Sequence, residues 1–382
     1  MGSLKRRLAA LGAAVILIFA PVPAFALDYD YQGQMEDYFA GEGFQELLDK
    51  LPQGAKDFLE ELGLYGISGT VEGMTPQVFL SALWGTFLGY LSAPLRMLVS
   101  LVGIIILCAM LESFSSSFTT SGVESIFNIV ITVFISSIII NPIVECIVDT
   151  SRVIEDFAVF ILSFIPVFAG VITASGQPMT GAAYNLFLFW MCQLTAQLVT
   201  SVFVPLLCAY LALSVLSVVC PRLNLSGLVG GIKTFVTWSL GLILTVFIGL
   251  MSIQSVVASS GDSIAVKTTK FFIGSMIPAV GGALADLFVA AQGCIQLVKG
   301  TLGAFGIIVT ALTFLPVLAR TAIWYLTIGA GAIISELFSL PQITKLMKAL
   351  SSTLGILVAV LLYDALLVII STTLLIVTFR AG

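Results

Sequence analysis

The chain has 382 residues, 59% of them hydrophobic and 10% charged, with a net charge of −5 and a mean hydropathy of +1.11. Soluble domains carry roughly 25% charged residues, so this is the composition of a polytopic membrane protein. Histidine is absent, which excludes His-based triads, most zinc sites and imidazole acid–base chemistry.

The first residues read as an export signal. Lys5, Arg6 and Arg7 give a positive start, Leu8 to Phe19 an apolar stretch, and Ala24-Phe25-Ala26 the small-x-small pattern that a signal peptidase cuts. Cleavage is predicted after Ala26, so that residues 1–26 are a signal peptide and the mature chain starts outside the cytoplasm, with an uncleaved first anchor helix as the alternative. Residues 27–75 then form an acidic exported segment, with eleven acidic residues against Lys50 and Lys56, a net −9. Within it Phe44, Leu47, Leu48 and Leu51 fall at i, i+3, i+4, i+7, and Ala55, Phe58, Leu59 and Leu62 repeat that spacing after Pro52. Two short amphipathic helices follow, whose apolar stripes need the membrane surface, the body of the protein or another protein as partner. Repulsion between an acidic face and anionic lipid favours a protein partner, with a solvated tether as the alternative.

Residues 76–382 form the multipass domain. Phe79 to Ser92, ahead of Pro94, is too short to span and reads as an interfacial helix. Candidate spans follow at Leu95–Leu111, Ile126–Val148, Phe157–Ser175, Asn185–Val219, Phe235–Val257, Phe271–Ala291, Gly303–Leu318, Ala322–Leu337 and Leu354–Phe379. About seven to nine crossings are expected, with loops at Glu112 to Ser125 and Asp149 to Asp156. Asn185–Val219 is too long for one perpendicular crossing and holds Thr195, Gln197, Thr200, Ser201 and Pro205, which predicts a broken helix or tight hairpin. Arg222 with Lys233, and Lys345 with Lys348, are the best cytoplasmic cations. The fold class is therefore all-α: a polytopic membrane helix bundle with broken helices, preceded by a cleaved signal peptide and a short acidic helical segment.

The densest chemistry lies between Ile253 and Asp286. Gln254, Asp262, Lys267, Lys270 and Asp286 sit there among membrane-type segments, where one charge at mid-bilayer costs roughly 2.5 to 3.5 kcal/mol. A polar path or an interface must hold them. Lys267 and Lys270 share a helix face and repel by a few tenths of a kcal/mol. Asp262 and Asp286, lipid phosphates or freed backbone carbonyls would offset that, and a basic face lying at the headgroups is the plain alternative. Pro278, Gly281 and Gly282 break the next span, as at many transporter binding sites, though a packing kink has the same sequence. Lys299 and Arg320 flank the following span, and Asp364 lies about ten residues into the last one, a candidate for a proton or ion relay or for structural pairing. Gly85-x-x-x-Gly89, Gly227-x-x-x-Gly231 and Gly300, Gly303, Gly306 are small-residue faces. Ser175-Gly176-Gln177-Pro178 signals a helix end. The six cysteines match no metal or redox spacing and read as small buried hydrophobes. No nucleotide-binding Gly-x-x-x-x-Gly-Lys-[Ser/Thr] loop and no basic aromatic patch for nucleic acid is present, so no cofactor or metal is expected.

The run Ser252-Ile253-Gln254, Asp262, Lys267-Thr268-Thr269-Lys270-Phe271, Ile277-Pro278-x-Val280-Gly281-Gly282, Asp286, Lys299, Gly303, Gly306 and Pro316 resembles the stage III sporulation protein AE family. So does the Ala-Gly-x-x-x-x-Ser-Gly pattern of Ala169 to Gly176, with Ala182, Ala183 and Tyr184 after it. The resemblance covers most of the chain from about Leu95 onward. It implies a non-enzymatic, multipass component of the channel-like complex between mother cell and forespore, lying in the mother-cell membrane around the forespore and needed after engulfment. Its implied partners are the other stage III A sporulation proteins and the forespore-side channel protein, and it carries over no catalytic residue. A stand-alone secondary transporter using Asp286 or Asp364 for ion coupling is the other reading. Inverted internal repeats would support it, and the sequence has none.

Overall fold

The computed structural model describes residues 42–64, 66–115, 121–220, 225–276 and 281–377. The signal peptide with Ala24 and Ala26, the start of the acidic segment and Pro278 lie outside them. Every regular element described is helical: α1 (Glu42–Asp49), α2 (Gln53–Glu61), α3 (Gly66–Gly73), α4 (Pro76–Ser115), α5 (Ser121–Ala174), α6 (Pro178–Leu198), α7 (Val204–Val219), α8 (Ser226–Met276), α9 (Gly281–Leu337) and α10 (Pro341–Val377). A π-helical turn, Val199–Phe203, joins α6 to α7.

Among the described residues six helical rods are long and apolar enough to cross a membrane. The expectation of seven to nine crossings separates several stretches that are continuous helix. Ile126–Val148 and Phe157–Ser175 both belong to the 54-residue α5, so Asp149 to Asp156 is helix and not a loop. Gly303–Leu318 and Ala322–Leu337 both belong to the 57-residue α9. Phe79–Ser92 is no separate interfacial helix either, since α4 runs straight through Pro94. Asn185–Val219 is not a hairpin but one span whose α-helix is interrupted by the π turn Val199–Phe203. Pro205 has no N–H and its ring crowds the carbonyl four residues back, at Ser201, and the widened π turn contains that residue. The described part of α8 runs to Met276 and that of α9 from Gly281, and the break expected at Pro278 falls on residues outside those described.

The antiparallel hairpin of α9 and α10 is the centre of the bundle. Their most apolar windows are 78% and 67% buried, against 22% for α4 and α8. Around it α5 pairs with α6, α8 packs on α6 and α10, and α4 lies along α9. The core runs along an aromatic ladder on α5. Phe157, Phe160, Phe164 and Phe168 stack with centroids 5.3 to 6.0 Å apart, and Phe314 of α9 and Tyr184 of α6 close it edge-on. Of the predicted glycine faces, Gly303 and Gly306 are used: a Cβ on Gly303 would lie 2.6 Å from Ile376, and one on Gly306 would enter the Phe164 ring. Gly300, Gly85, Gly89, Gly227 and Gly231 have no neighbour within 4 Å of such a Cβ among the described residues.

The amphipathic helices were foreseen as two, and a third follows. Their stripes bury against the protein's own body: Leu47, Ala55, Leu59 and Ile67 join the core, with α2 and α3 on α9 and α1 on α5. Asp49, Asp57, Glu60 and Glu61 stay exposed on the outer face.

Candidate functional site

The α5–α6 turn is built by its own sequence. Ser175 ends α5, and Gly176 takes φ +87°, a left-handed conformation that only glycine adopts without strain. Gln177 N–H then donates to Ile172 O at 3.2 Å and Gly176 N–H to Thr173 O at 3.1 Å, the paired bonds of a Schellman stop. Pro178 starts the next helix at the position where a missing N–H costs nothing. A Cβ on Gly176 would also collide with the Gln292 amide of α9, so the turn lies hard against that helix.

Asp262 reaches this turn from α8. Its carboxylate is fully buried and accepts from Met179 N–H at 2.9 Å, Thr180 N–H at 2.9 Å and Thr180 Oγ1 at 2.6 Å. The first N–H groups of a helix have no partner within it, and the helix dipole is positive there, so a carboxylate from another helix satisfies both needs. Lys299 of α9 completes the group. It is buried, donates to Gln177 Oε1 at 3.1 Å, and its ammonium is attracted by Asp262. Three rods and one turn therefore meet in a polar junction. Gln177 Nε2 and Gln292 Nε2 are buried there with no hydrogen-bond partner among the described residues.

The other candidates fall elsewhere. Lys267 and Lys270 project to the exterior of α8, and neither forms a salt bridge among the described residues. Asp262, offered as their counterion, is committed to α6 instead. Gln254 is half-buried on α8, its Oε1 without a donor among the described residues. Asp286 belongs to α9, with its side chain outside the description. Asp364 is buried in mid-α10 against a small cavity lined by Ile154, Phe157, Ile161, Cys192 and Ala196. No hydrogen bond or ion pair joins its carboxylate among the described residues. The neighbouring Tyr363 Oη lies 3.4 Å from Thr195 Oγ1. Among the described residues no group of three or more His, Cys, Asp or Glu side chains is placed to hold a metal.

Sequence reading missed a second charged group. Arg320 bonds Glu145 at 2.6 Å and also Asp149, which stand one turn apart on α5. The i, i+4 spacing of the two carboxylates was a visible signal, hidden because Glu145 and Asp149 straddled an assumed helix end.

The residues that meet at the junction come from two distant stretches: Ser175 to Thr180, and the run holding Asp262, with Lys299 beyond it. A family model for stage III sporulation protein AE matches residues 63–378. The chain belongs to the stage III sporulation protein AE family. It is similar to the Bacillus subtilis (strain 168) protein of that name, 24% identical over 327 residues that cover 85% of this chain and 80% of that one. No solved structure matches it. As a member of this family, with six rods of spanning length, it is a multipass membrane protein of sporulation. The match takes in α3 and everything after it, and leaves α1 and α2 ahead of it.

Proposed function

We propose that this family member is a non-enzymatic subunit of a transenvelope channel complex for endospore formation, acting at stage III in the mother-cell membrane around the forespore. Its partners are the other stage III A proteins and the forespore-side channel protein. The observation that carries this is the family match over residues 63–378 on a bundle of six long apolar rods. The chemistry agrees: the buried charge at the junction is spent on holding helices together, and Lys267 and Lys270 are left outward for a partner or a headgroup.

An exported start fits the bundle. If the signal peptide is removed after Ala26, the chain enters from outside, and six crossings put the α7–α8 and α9–α10 turns in the cytoplasm. Lys233, Lys345 and Lys348 lie at that end, where Lys233 donates to Ser352 at 2.6 Å, as the positive-inside rule requires. Sequencing the mature protein should start at Leu27, and an intact Met1 would sink the export step.

The stand-alone transporter remains a second reading on one observation, the buried Asp364 with no hydrogen-bond or ion-pair partner among the described residues. Deleting the gene in a spore former separates the two. A block after engulfment, restored by the native gene but not by Lys267→Ala with Lys270→Ala at normal protein level, supports the complex subunit. Normal spores refute it.

A further inference from the structure

The outward stripe of α5 changes character at mid-length. Val130, Phe134 and Val144 are exposed on one side of a central stretch and Val159 and Leu162 on the other. The stretch itself exposes Glu145, Arg152, Glu155 and Asp156 on the same helix face. Arg320, 30% exposed, is paired there with Glu145 and Asp149, which leaves Arg152, Glu155 and Asp156 outward. Beside this stretch sit α1 on α5 and α2 and α3 on α9, with Gly54 of α2 against the Thr313 carbonyl and Asp57, Glu60 and Glu61 outward. Phe314, one residue on, touches Phe157 of α5 with centroids 4.9 Å apart, so the charged stretch and the acidic helices share one height.

Among the described residues, the opposite side of the bundle at that height exposes no charge. Ile154 and Phe157 share the Asp364 cavity with Cys192 and Ala196 of α6, which sets the level on the far side. There the exterior is Trp190, Leu194 and, on α8, Trp238 and Leu242. The rod Pro178–Val219 has no charged residue over its 42 residues, about 60 Å at 1.5 Å per residue. A hydrocarbon core of about 30 Å centred on it extends about 15 Å each way. Cys192 and Ala196 lie within about 10 Å of that midpoint. The membrane level that suits α6 to α8 therefore also crosses the charged part of α5. Charges exposed to lipid there would cost roughly 2.5 to 3.5 kcal/mol each.

We infer that the side formed by mid-α5 and α1 to α3 faces water at a height where the α6–α8 side faces lipid, so that the protein carries a one-sided aqueous vestibule within the membrane. Its wall is of mixed charge with an acidic excess, suited to water and to polar or cationic solutes. The inference goes beyond the complex-subunit reading and stands on charge placement alone.

The test is the collision accessibility of spin labels on the full chain in lipid nanodiscs, with Cys192, Cys208, Cys220 and Cys294 replaced by alanine. Labels at Glu155→Cys and Asp156→Cys should be relaxed several-fold more by a polar nickel chelate than by oxygen. Labels at Leu194→Cys and Trp238→Cys should show the reverse. Oxygen dominance at 155 and 156 would overturn the vestibule, and so would chelate dominance at all four positions, which would put the whole height outside the bilayer. Should a labelled variant misfold, Glu155→Leu with Asp156→Leu supplies the second measurement. Unchanged or lowered stability supports a water-facing wall, and a clear gain in stability refutes it. Neither readout depends on spore formation.

Discussion

Asp262→Ala removes the acceptor of three hydrogen bonds from the start of α6. The buried Thr180 N–H and the part-buried Met179 N–H are orphaned, at up to about 1 to 3 kcal/mol each, and Lys299 loses the anion it faces. These losses overlap, so the expected destabilisation is about 3 to 5 kcal/mol, the range for breaking a buried charged pair. At tenfold per 1.4 kcal/mol, the unfolded fraction rises by about two to three orders of magnitude. Asp262→Asn keeps one accepting oxygen and turns an amide towards the other donor, so about half that loss is expected. The assay is reversible unfolding of the purified protein in mixed micelles by titration with sodium dodecyl sulfate, followed by circular dichroism. A cycle with Lys299→Met adds a control. If the two charges are coupled through the junction, the double variant loses less than the sum of the single losses. An Asp262→Ala protein within about 0.5 kcal/mol of native, the range for an ordinary surface change, would refute the junction as a structural element.

Gly306→Ala is expected to destabilise by about 1 to 3 kcal/mol by overpacking, because the new methyl would meet Phe164, whose ring is fixed between Phe160 and Phe168. Gly300→Ala, six residues away with open space at its Cβ, is the matched control in the same titration and should leave the midpoint unchanged or slightly raised.

Much of the architecture was legible because membrane burial leaves a strong compositional trace: the all-helical class, the amphipathic stripes through Leu47 and Leu59, and the helix end at Ser175 to Pro178 all came from local pattern. The number of rods did not. A hydropathy window reads Asp149 to Asp156 as a gap between spans, yet in a helix those charges fall with Glu145 on one face while Cys146, Thr150 and Ile154 stay buried on the other. Pro94, Pro142, Pro166 and Pro316 likewise lie within continuous helices, since neighbouring rods and local adjustment absorb what a proline removes. At the site, the cost of buried charge correctly marked Asp262, Lys299 and Asp364 as needing explanation, but it could not name partners. A cap is ordinarily supplied by the residue just ahead of the helix, and here it comes from 82 to 83 residues away, a relation that no local spacing encodes.

The same distance explains why one stretch of sequence serves two purposes. Asp262 and Val266 are where α8 meets the α5–α6 turn, and around them from Ile264 onward the described part of the helix is largely exposed. Everything up to Asp262 is held by packing, and Lys267 and Lys270 stand one to two turns beyond the anchor, about 8 to 12 Å along the axis. Two like charges on a free helical face add nothing to the fold and repel by a few tenths of a kcal/mol. A fold-only role would favour their replacement, whereas a role in contact with a partner or a headgroup needs them outward and rigidly placed. Asp262 supplies that rigidity, fixing the direction in which α8 leaves the bundle. Substitutions in this run should therefore separate cleanly: at Asp262 stability and sporulation fall together, and at Lys267 and Lys270 sporulation falls while the unfolding midpoint stays put.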